Sequence, residues 1–452
     1  MADSPREPRQ AGLGASFPKL AGLGALYFAQ GIPLGIAAEY LPVALRQSHA
    51  SYSLITAVSW LQLPWTLKVL WARAGDTPAL RTRARRVVLV LQLCLAATIA
   101  LYTLRPLAEG RALWFTLTAI AALFASTQDV FVDGLAVRTL GPQERGLGNV
   151  AQVGAYRLGM VAGGAGLLSL GFLLSERIAL LGLAALVALA AAGTLFVGER
   201  PQALEALDLR EAKKPRASVA QAGSAAPEVQ AGSAAPEAHG TWRALVSMVR
   251  PEVRTVLVVA FTFKLGLHTA AALLKPVLVD GGWSKERIGT LAVTVGTLAG
   301  VLGSVAGGLA HRLLGDRRAL SLAAVLQAIA CVPLFFVVGR TSQIAWVTTA
   351  LAVEHAASGL GTTVLFAALM GATNPKNASL EFTVLSTANA VSLATAGALG
   401  AAIADLANAQ AAFAVGATLS LAALVFLPRW DGASKTLREG TGVERESGAA
   451  LG

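Results

Sequence analysis

The chain has 452 residues, of which 55% are apolar and 14% charged, with a mean hydropathy of +0.60. Soluble globular chains carry about 25% charged residues, so this composition excludes a soluble enzyme domain and points to the lipid bilayer. The net charge of +11 would suggest nucleic acid in a soluble protein; here it has a topological explanation, and nucleic acid is not an expected partner. Two cysteines, Cys94 and Cys331, both inside apolar runs, exclude a disulfide framework and a thiolate metal centre.

In chain order, residues 1–19 read as a polar N-terminal tail. The apolar run after Lys19 is as long as a spanning helix, unlike the short core of a signal peptide, and is expected to be retained. Apolar runs over 20–45, 52–70, 87–104, 113–137, 147–174 and 178–197 predict a first six-helix bundle, 20–197. Residues 198–250 contain the octet Gln-Ala-Gly-Ser-Ala-Ala-Pro-Glu twice, at 221–228 and 230–237, and read as a low-complexity cytoplasmic linker. Runs over 253–279, 288–310, 319–339, 344–371, 379–404 and 408–427 predict a second six-helix bundle, 251–428, followed by a tail over 429–452. Twelve spans put both termini on one side. Most Lys and Arg fall on that side, which makes it the cytoplasm.

The halves echo one another, as in carriers built from repeats. Arg85-Arg86, Gln92 and Cys94 recur as Arg317-Arg318, Gln327 and Cys331, and Thr139 with Pro142 recurs as Thr373 with Pro375. Gln92 and Gln327 are 235 residues apart and the prolines 233, so two landmarks agree on one duplication.

A charge at bilayer depth costs roughly 2.5–3.5 kcal/mol on insertion scales, which makes intramembrane ionisable residues functional candidates. Thr127-Gln128-Asp129-Val-Phe-Val-Asp133 sets two carboxylates at i and i+4, on one helix face. Asp129 lies about 13 Å and Arg157 about 16 Å from the cytoplasmic ends of antiparallel neighbours, matching depths at which they can pair. In one reading Asp129 or Asp133 takes up and releases a proton while Arg157 either holds the carboxylate's pKa down or is contested between the carboxylate and an anionic substrate. In the other, Asp129 and Arg157 are a static pair and Asp133 is merely hydrated near the surface. Lys264 and Glu354 fall near the bilayer centre of the second half, either as substrate contact and proton carrier or as a plain salt bridge. His268 and His355 accompany them without metal-ligand spacing and read as satisfied or cavity-facing histidines. Glu39 and Asp405, near helix ends where water is available, are assigned no chemistry.

Gly159-x-x-x-Gly163 and Gly296-x-x-x-Gly300 allow close helix approach, for static packing or for a smooth surface between moving halves. Zinc-helix, nucleophile-elbow and nucleotide-loop motifs are absent from the sequence, so neither an enzyme nor a cofactor or metal site is expected. Without a nucleotide site, uphill transport must use an ion gradient, and membrane carboxylates make protons the natural ion.

These residues resemble the AmpG-like muropeptide permease and acetyl-CoA transporter group of the major facilitator superfamily. The resemblance is carried by Tyr27-Phe28-Ala-Gln-Gly31-Ile-Pro33, Ser126 through Asp133, Glu144-Arg145-Gly146, Tyr156-Arg157-Leu-Gly159, Phe263-Lys264-Leu-Gly266, Glu354 with Gly359-Leu-Gly361-Thr362, and Phe382-Thr-Val-Leu-Ser386. It implies the all-α, twelve-helix fold of that superfamily, working by alternating access in a bacterial cytoplasmic membrane. Proton-driven import of anhydro-muropeptides is implied for its best-known branch, with acetyl-CoA or iron-siderophores carried by relatives. By resemblance, Asp129, Asp133 and Glu354 are the proton-coupling candidates. Gln128, Tyr156, Arg157 and Lys264 are the substrate-binding candidates, and Asp76, before the basic cluster Arg81 to Arg86, is a helix-packing or gating candidate. Leu267 and Gly134-Leu135 depart from the muropeptide branch. The expected function is a proton-coupled importer of a small, anionic, muropeptide-like solute, acting as a monomer; a siderophore or acyl-CoA-like cargo and a non-transporting membrane receptor or assembly factor are the alternatives.

Overall fold

The computed structural model describes residues 13–48, 58–197 and 251–430; the expected linker over 198–250 and most of both tails lie outside them. Every regular element among the described residues is helical. Ten stretches are long and apolar enough to cross a membrane. In the first half these are α1 (Ser16–Leu45), α3 (Ala84–Leu104), α4 (Arg111–Thr139), α5 (Arg145–Leu173) and α6 (Glu176–Phe196). Between α1 and α3, a continuous helix over 52–70 was expected. Its described part, which we label α2 (58–76), is instead a chain of short 3-10 and α turns. Pro64 near its start has no N–H to donate and crowds the preceding turn.

The second half has α7 (Arg254–Asp280), α10 (Ile344–Ala372), α11 (Ala378–Leu406) and α12 (Ala409–Arg429). Between α7 and α10 lies Arg287–Val337, 51 residues long. As one straight helix it would reach about 75 Å, far beyond a hydrocarbon core of about 30 Å. Gly315 breaks it at φ 75°, ψ 174°, a conformation closed to most L side chains, so the stretch is two helices, α8 (287–314) and α9 (316–337).

Helix starts are capped where the sequence allows: Ser175 accepts from the Ile178 N–H at 3.2 Å ahead of α6, and Asn408 from the Ala411 N–H at 2.8 Å ahead of α12. The duplication is visible in packing as well as spacing. Gln92 of α3 donates to the Val187 carbonyl at 2.9 Å and accepts from Gln128 of α4. In the second half Gln327 of α9 lies against Gly361 of α10, where a Cβ would stand 3.0 Å from Nε2. Gly361 is 233 residues beyond Gln128, the offset of the loop prolines.

The glycines divide differently from the sequence expectation. Gly159 and Gly163 do bring helices together, but inside the first half: a Cβ at 159 would stand 3.0 Å from the Gly31 Cα, and one at 163 would stand 3.1 Å from the Ile32 Cα. This is packing of α5 on α1 and forms no sliding surface between halves. Gly159→Ala forces backbone apart in a tight crossing, and overpacking of this kind costs about 1–3 kcal/mol. The expected result is a lower melting temperature of the purified protein; an unchanged one would show that the crossing relaxes freely. Gly296 and Gly300, expected to serve the same purpose, face side chains instead. Gly296 lies under the His355 ring and Gly300 under the Arg157 guanidinium, whereas α8 approaches the α10 backbone at Gly303 and Gly307.

Candidate functional site

Three first-half helices converge on the two carboxylates of α4. Asp133 is buried, 1% exposed, and accepts at one oxygen, Oδ1, from the Tyr27 hydroxyl of α1 at 2.7 Å and the Gln152 amide of α5 at 3.1 Å. The expectation of a merely hydrated Asp133 is therefore overturned: three helices wall it from solvent. Asp129, one turn away, is ion-paired with Lys68 of α2. This corrects the expected Asp129–Arg157 pairing, and the reason is helical phase. Gln152, which reaches Asp133, and Tyr156 stand at i and i+4 on one face of α5. Arg157, the next residue, is turned by about 100° and points instead toward α8. Gln128, expected at the substrate, is fully buried and bonded to Gln92 within the first half.

In the second half, α7 loses its helical geometry at Phe263 and Lys264, so the Lys264 side chain leaves the helix axis inside the bilayer. Its ammonium donates to the Ser358 carbonyl and hydroxyl, each at 3.2 Å, and to the Thr362 hydroxyl at 2.5 Å. Three donors are thus spent on α10, and the expected alternatives for Lys264 both change: it makes no salt bridge to Glu354, and in this arrangement it offers a substrate its charge and no free hydrogen bond. Glu354 is buried one turn before Ser358 on the same face and is bonded to the His355 imidazole, which also contacts the Leu351 carbonyl at 3.1 Å. His268 keeps a buried Nδ1 with no hydrogen-bond partner among the described residues. Among the described residues no carboxylate lies within ion-pair distance of Arg157; the acidic charge that acts on it is Glu354.

The halves are joined at the end of the bundle that carries Arg81, Arg138, Arg145 and Arg317. Asp76 accepts from the first N–H groups of α11, Ser379 at 2.9 Å and Leu380 at 2.8 Å, with the Arg138 guanidinium 3.6 Å from its Oδ1. A carboxylate at a helix N-terminus satisfies donors the helix itself cannot. Gly75 leaves room for this approach, since a Cβ there would stand 2.6 Å from the Ser379 hydroxyl. Nearby, Glu144 accepts from Lys19 and Ser16, both at 2.5 Å, and from the Gly141 N–H at 2.9 Å. Burial pushes the Glu144 carboxyl up, but these donors outweigh it and hold it below the ordinary range. At the opposite end Glu39 of α1 and Lys275 of α7 act on one another electrostatically without forming an ion pair.

Burial pushes the Asp76 carboxyl above its ordinary range, against the opposing pull of its two N–H donors and Arg138. Water around a separated end would return it to that range, and the state with the higher pKa gains as pH falls. Acidification on this side therefore favours the joined arrangement through Asp76. Asp76→Asn fixes the group in its neutral form and removes this pH dependence. The expected result is a separation between spin labels at Ala79→Cys and Leu313→Cys that stays at the parent's acid value at every pH and no longer narrows with acid. A separation that varies with pH as in the parent would remove Asp76 from the closure.

The sequence scan missed Lys68, Tyr27 and Gln152 as site residues. Lys68 obeys the rule that found Lys264, a charge within an apolar run, and was legible by it. Tyr27 and Gln152 carry no charge and are identified only by what they touch.

Ten apolar stretches long enough to cross a membrane, packed around buried charges, are the build of a membrane transporter. The Major Facilitator Superfamily model matches residues 255–450, and the model for Acetyl-coenzyme A transporter 1 matches residues 20–120. An uncharacterized protein of Haemophilus influenzae is 26% identical over 379 residues, covering 80% of this chain and 83% of that protein. The anhydromuropeptide permease of Escherichia coli is 25% identical over 384 residues, covering 83% and 72%. The crystal structure of the human organic anion transporter MFSD10 superposes with a TM-score of 0.64 at 16% identity, over 93% of this chain and 100% of that one. The chain is similar to members of the major facilitator superfamily, AmpG-like permeases among them.

Proposed function

We propose that the protein is a proton-coupled importer of an anhydro-muropeptide-like solute, working as a monomer by alternating access in a bacterial cytoplasmic membrane with both termini in the cytoplasm. The observation that carries this reading is a charge imbalance: two carboxylates, Asp129 and Asp133, share one cation, Lys68, inside the first half. Low dielectric makes an uncompensated buried charge expensive, and a proton is the ion that cancels it without new ligands. Asp129 is ion-paired with Lys68. Among the described residues Asp133 has only neutral donors, both on Oδ1, which leaves its other oxygen as the atom to take the proton.

Arg157, without an ion-pair partner among the described residues and seated against Gly300 of α8, is the cation for an anionic group of the cargo; a guanidinium suits a carboxylate in two-point geometry. Lys264 adds positive charge to the same region. With the charged end as the cytoplasmic one, the arrangement joined there accepts solute and proton from outside. The name of the E. coli relative supports a muropeptide cargo. An acyl-CoA-like anion is the second reading, favoured by the match of residues 20–120 to the acetyl-CoA transporter model.

The test is uptake of labelled anhydro-muropeptide into proteoliposomes under an imposed inward proton gradient. Accumulation above the external concentration supports the reading. Absence of uptake by folded, reconstituted protein, with uptake of acetyl-CoA in its place, moves the cargo to the second.

A further inference from the structure

Arg157 occupies a place in the second half that depends on one missing side chain. On α8, Gly303 and Gly307 are held against α10: a Cβ at 303 would stand 2.7 Å from the Ala356 carbonyl carbon, and one at 307 would stand 2.6 Å from the Leu360 carbonyl oxygen. Neither position admits a methyl group without moving backbone. Gly300 is different. The nearest α10 atom to a Cβ there is the His355 carbonyl oxygen at 3.5 Å, an ordinary contact, and the space is filled instead by the Arg157 guanidinium, with Cζ 2.9 Å from the Cβ position. As far as α10 is concerned, alanine fits at 300; only Arg157 excludes it.

This guanidinium has its backbone in the first half and its seat in the second. It is turned away from Asp129, has no carboxylate within ion-pair distance among the described residues, and stands in the field of Glu354. Separation of α5 from α8 as the halves rock would draw it off the seat.

We propose that Gly300 is a positioning residue: the bare patch it leaves on α8 seats Arg157 near Glu354 and so ties the two halves together in the arrangement joined at the charged end. An anion arriving between the halves competes with Glu354 for the same guanidinium. The inference rests on the alternating-access reading but on neither the cargo nor the coupling ion.

The test is a double-mutant cycle read by spin-label distances, in a Cys94→Ser, Cys331→Ala background. The labels are at Glu109→Cys and Ser342→Cys, on the loops joining α3 to α4 and α9 to α10. Neither substrate nor proton gradient is present, so failure of the muropeptide or proton reading leaves the result interpretable. Gly300→Ala and Arg157→Ala are each expected to change the ratio of the two end-to-end populations in the same direction, at least twofold, and the double variant to change it no further. Additive shifts, or a Gly300→Ala distribution identical to the parent, overturn the proposal. If Gly300→Ala alone does not fold, the proposal requires that Gly300→Ala in the Arg157→Ala background folds and melts with Arg157→Ala itself. A further loss of folded protein there would give Gly300 to helix packing and overturn the seat.

Discussion

Replacing Lys68 with methionine should strip Asp129 of its only ion-pair partner among the described residues and cost about 3–5 kcal/mol, the penalty for leaving one half of a buried pair behind. The pair is nearly enclosed, with side-chain exposures of 9% for Lys68 and 13% for Asp129, so water compensates little. The cost falls on folding unless the charge is removed by other means. Lys68→Met combined with Asp129→Leu removes both charges and should recover most of the loss, because an apolar pair of similar volume is tolerated where a lone charge is not. Melting temperatures of the three purified proteins decide it. A single variant as stable as the parent would mean that the pair is too well hydrated to matter, and the charge-imbalance argument for Asp133 would fall with it.

Asp133→Asn should abolish accumulation against a gradient while leaving the protein folded and able to exchange solute at equal concentrations. Asparagine keeps the carboxamide oxygen that Tyr27 and Gln152 donate to, so the hydrogen bonds at 2.7 and 3.1 Å have an acceptor of the same shape. What it cannot do is change charge, and a carrier fixed in the neutral form has lost the step that links solute to the gradient. Counterflow of labelled against unlabelled muropeptide, measured beside gradient-driven uptake in the same proteoliposomes, separates the two functions. Loss of both would assign Asp133 to architecture, and retention of both would exclude it from coupling.

Much of this arrangement was legible before any coordinates. Apolar run lengths gave the long helices to within a few residues, but not the broken stretch that stands where a helix over 52–70 was expected. The i, i+4 spacing of Asp129 and Asp133 put both on one face, and the duplication was visible in loop spacing and recurs in the packing of Gln92 and Gln327. What depth and spacing do not carry is azimuth. Arg157 lies at the depth of Asp129 yet faces another helix, because one residue of offset from Tyr156 turns the side chain by about 100°. Lys264 was found as a charge at mid-bilayer, but that its three donors are spent on Ser358 and Thr362 depends on a local loss of helix at 263–264 that no periodicity announces. Glycine spacing predicted close approach in both halves. Only the neighbours distinguish Gly159, which meets backbone, from Gly300, which meets a guanidinium.

The central claim is that cargo and proton move together through the first-half carboxylates. It is tested most directly with a pH-sensitive dye trapped inside proteoliposomes that start with equal pH on both sides. Addition of anhydro-muropeptide outside should acidify the interior with wild-type protein and leave it unchanged with Asp133→Asn, as muropeptide flows down its own gradient in both. Muropeptide influx through the wild-type protein with no change in internal pH would contradict the account.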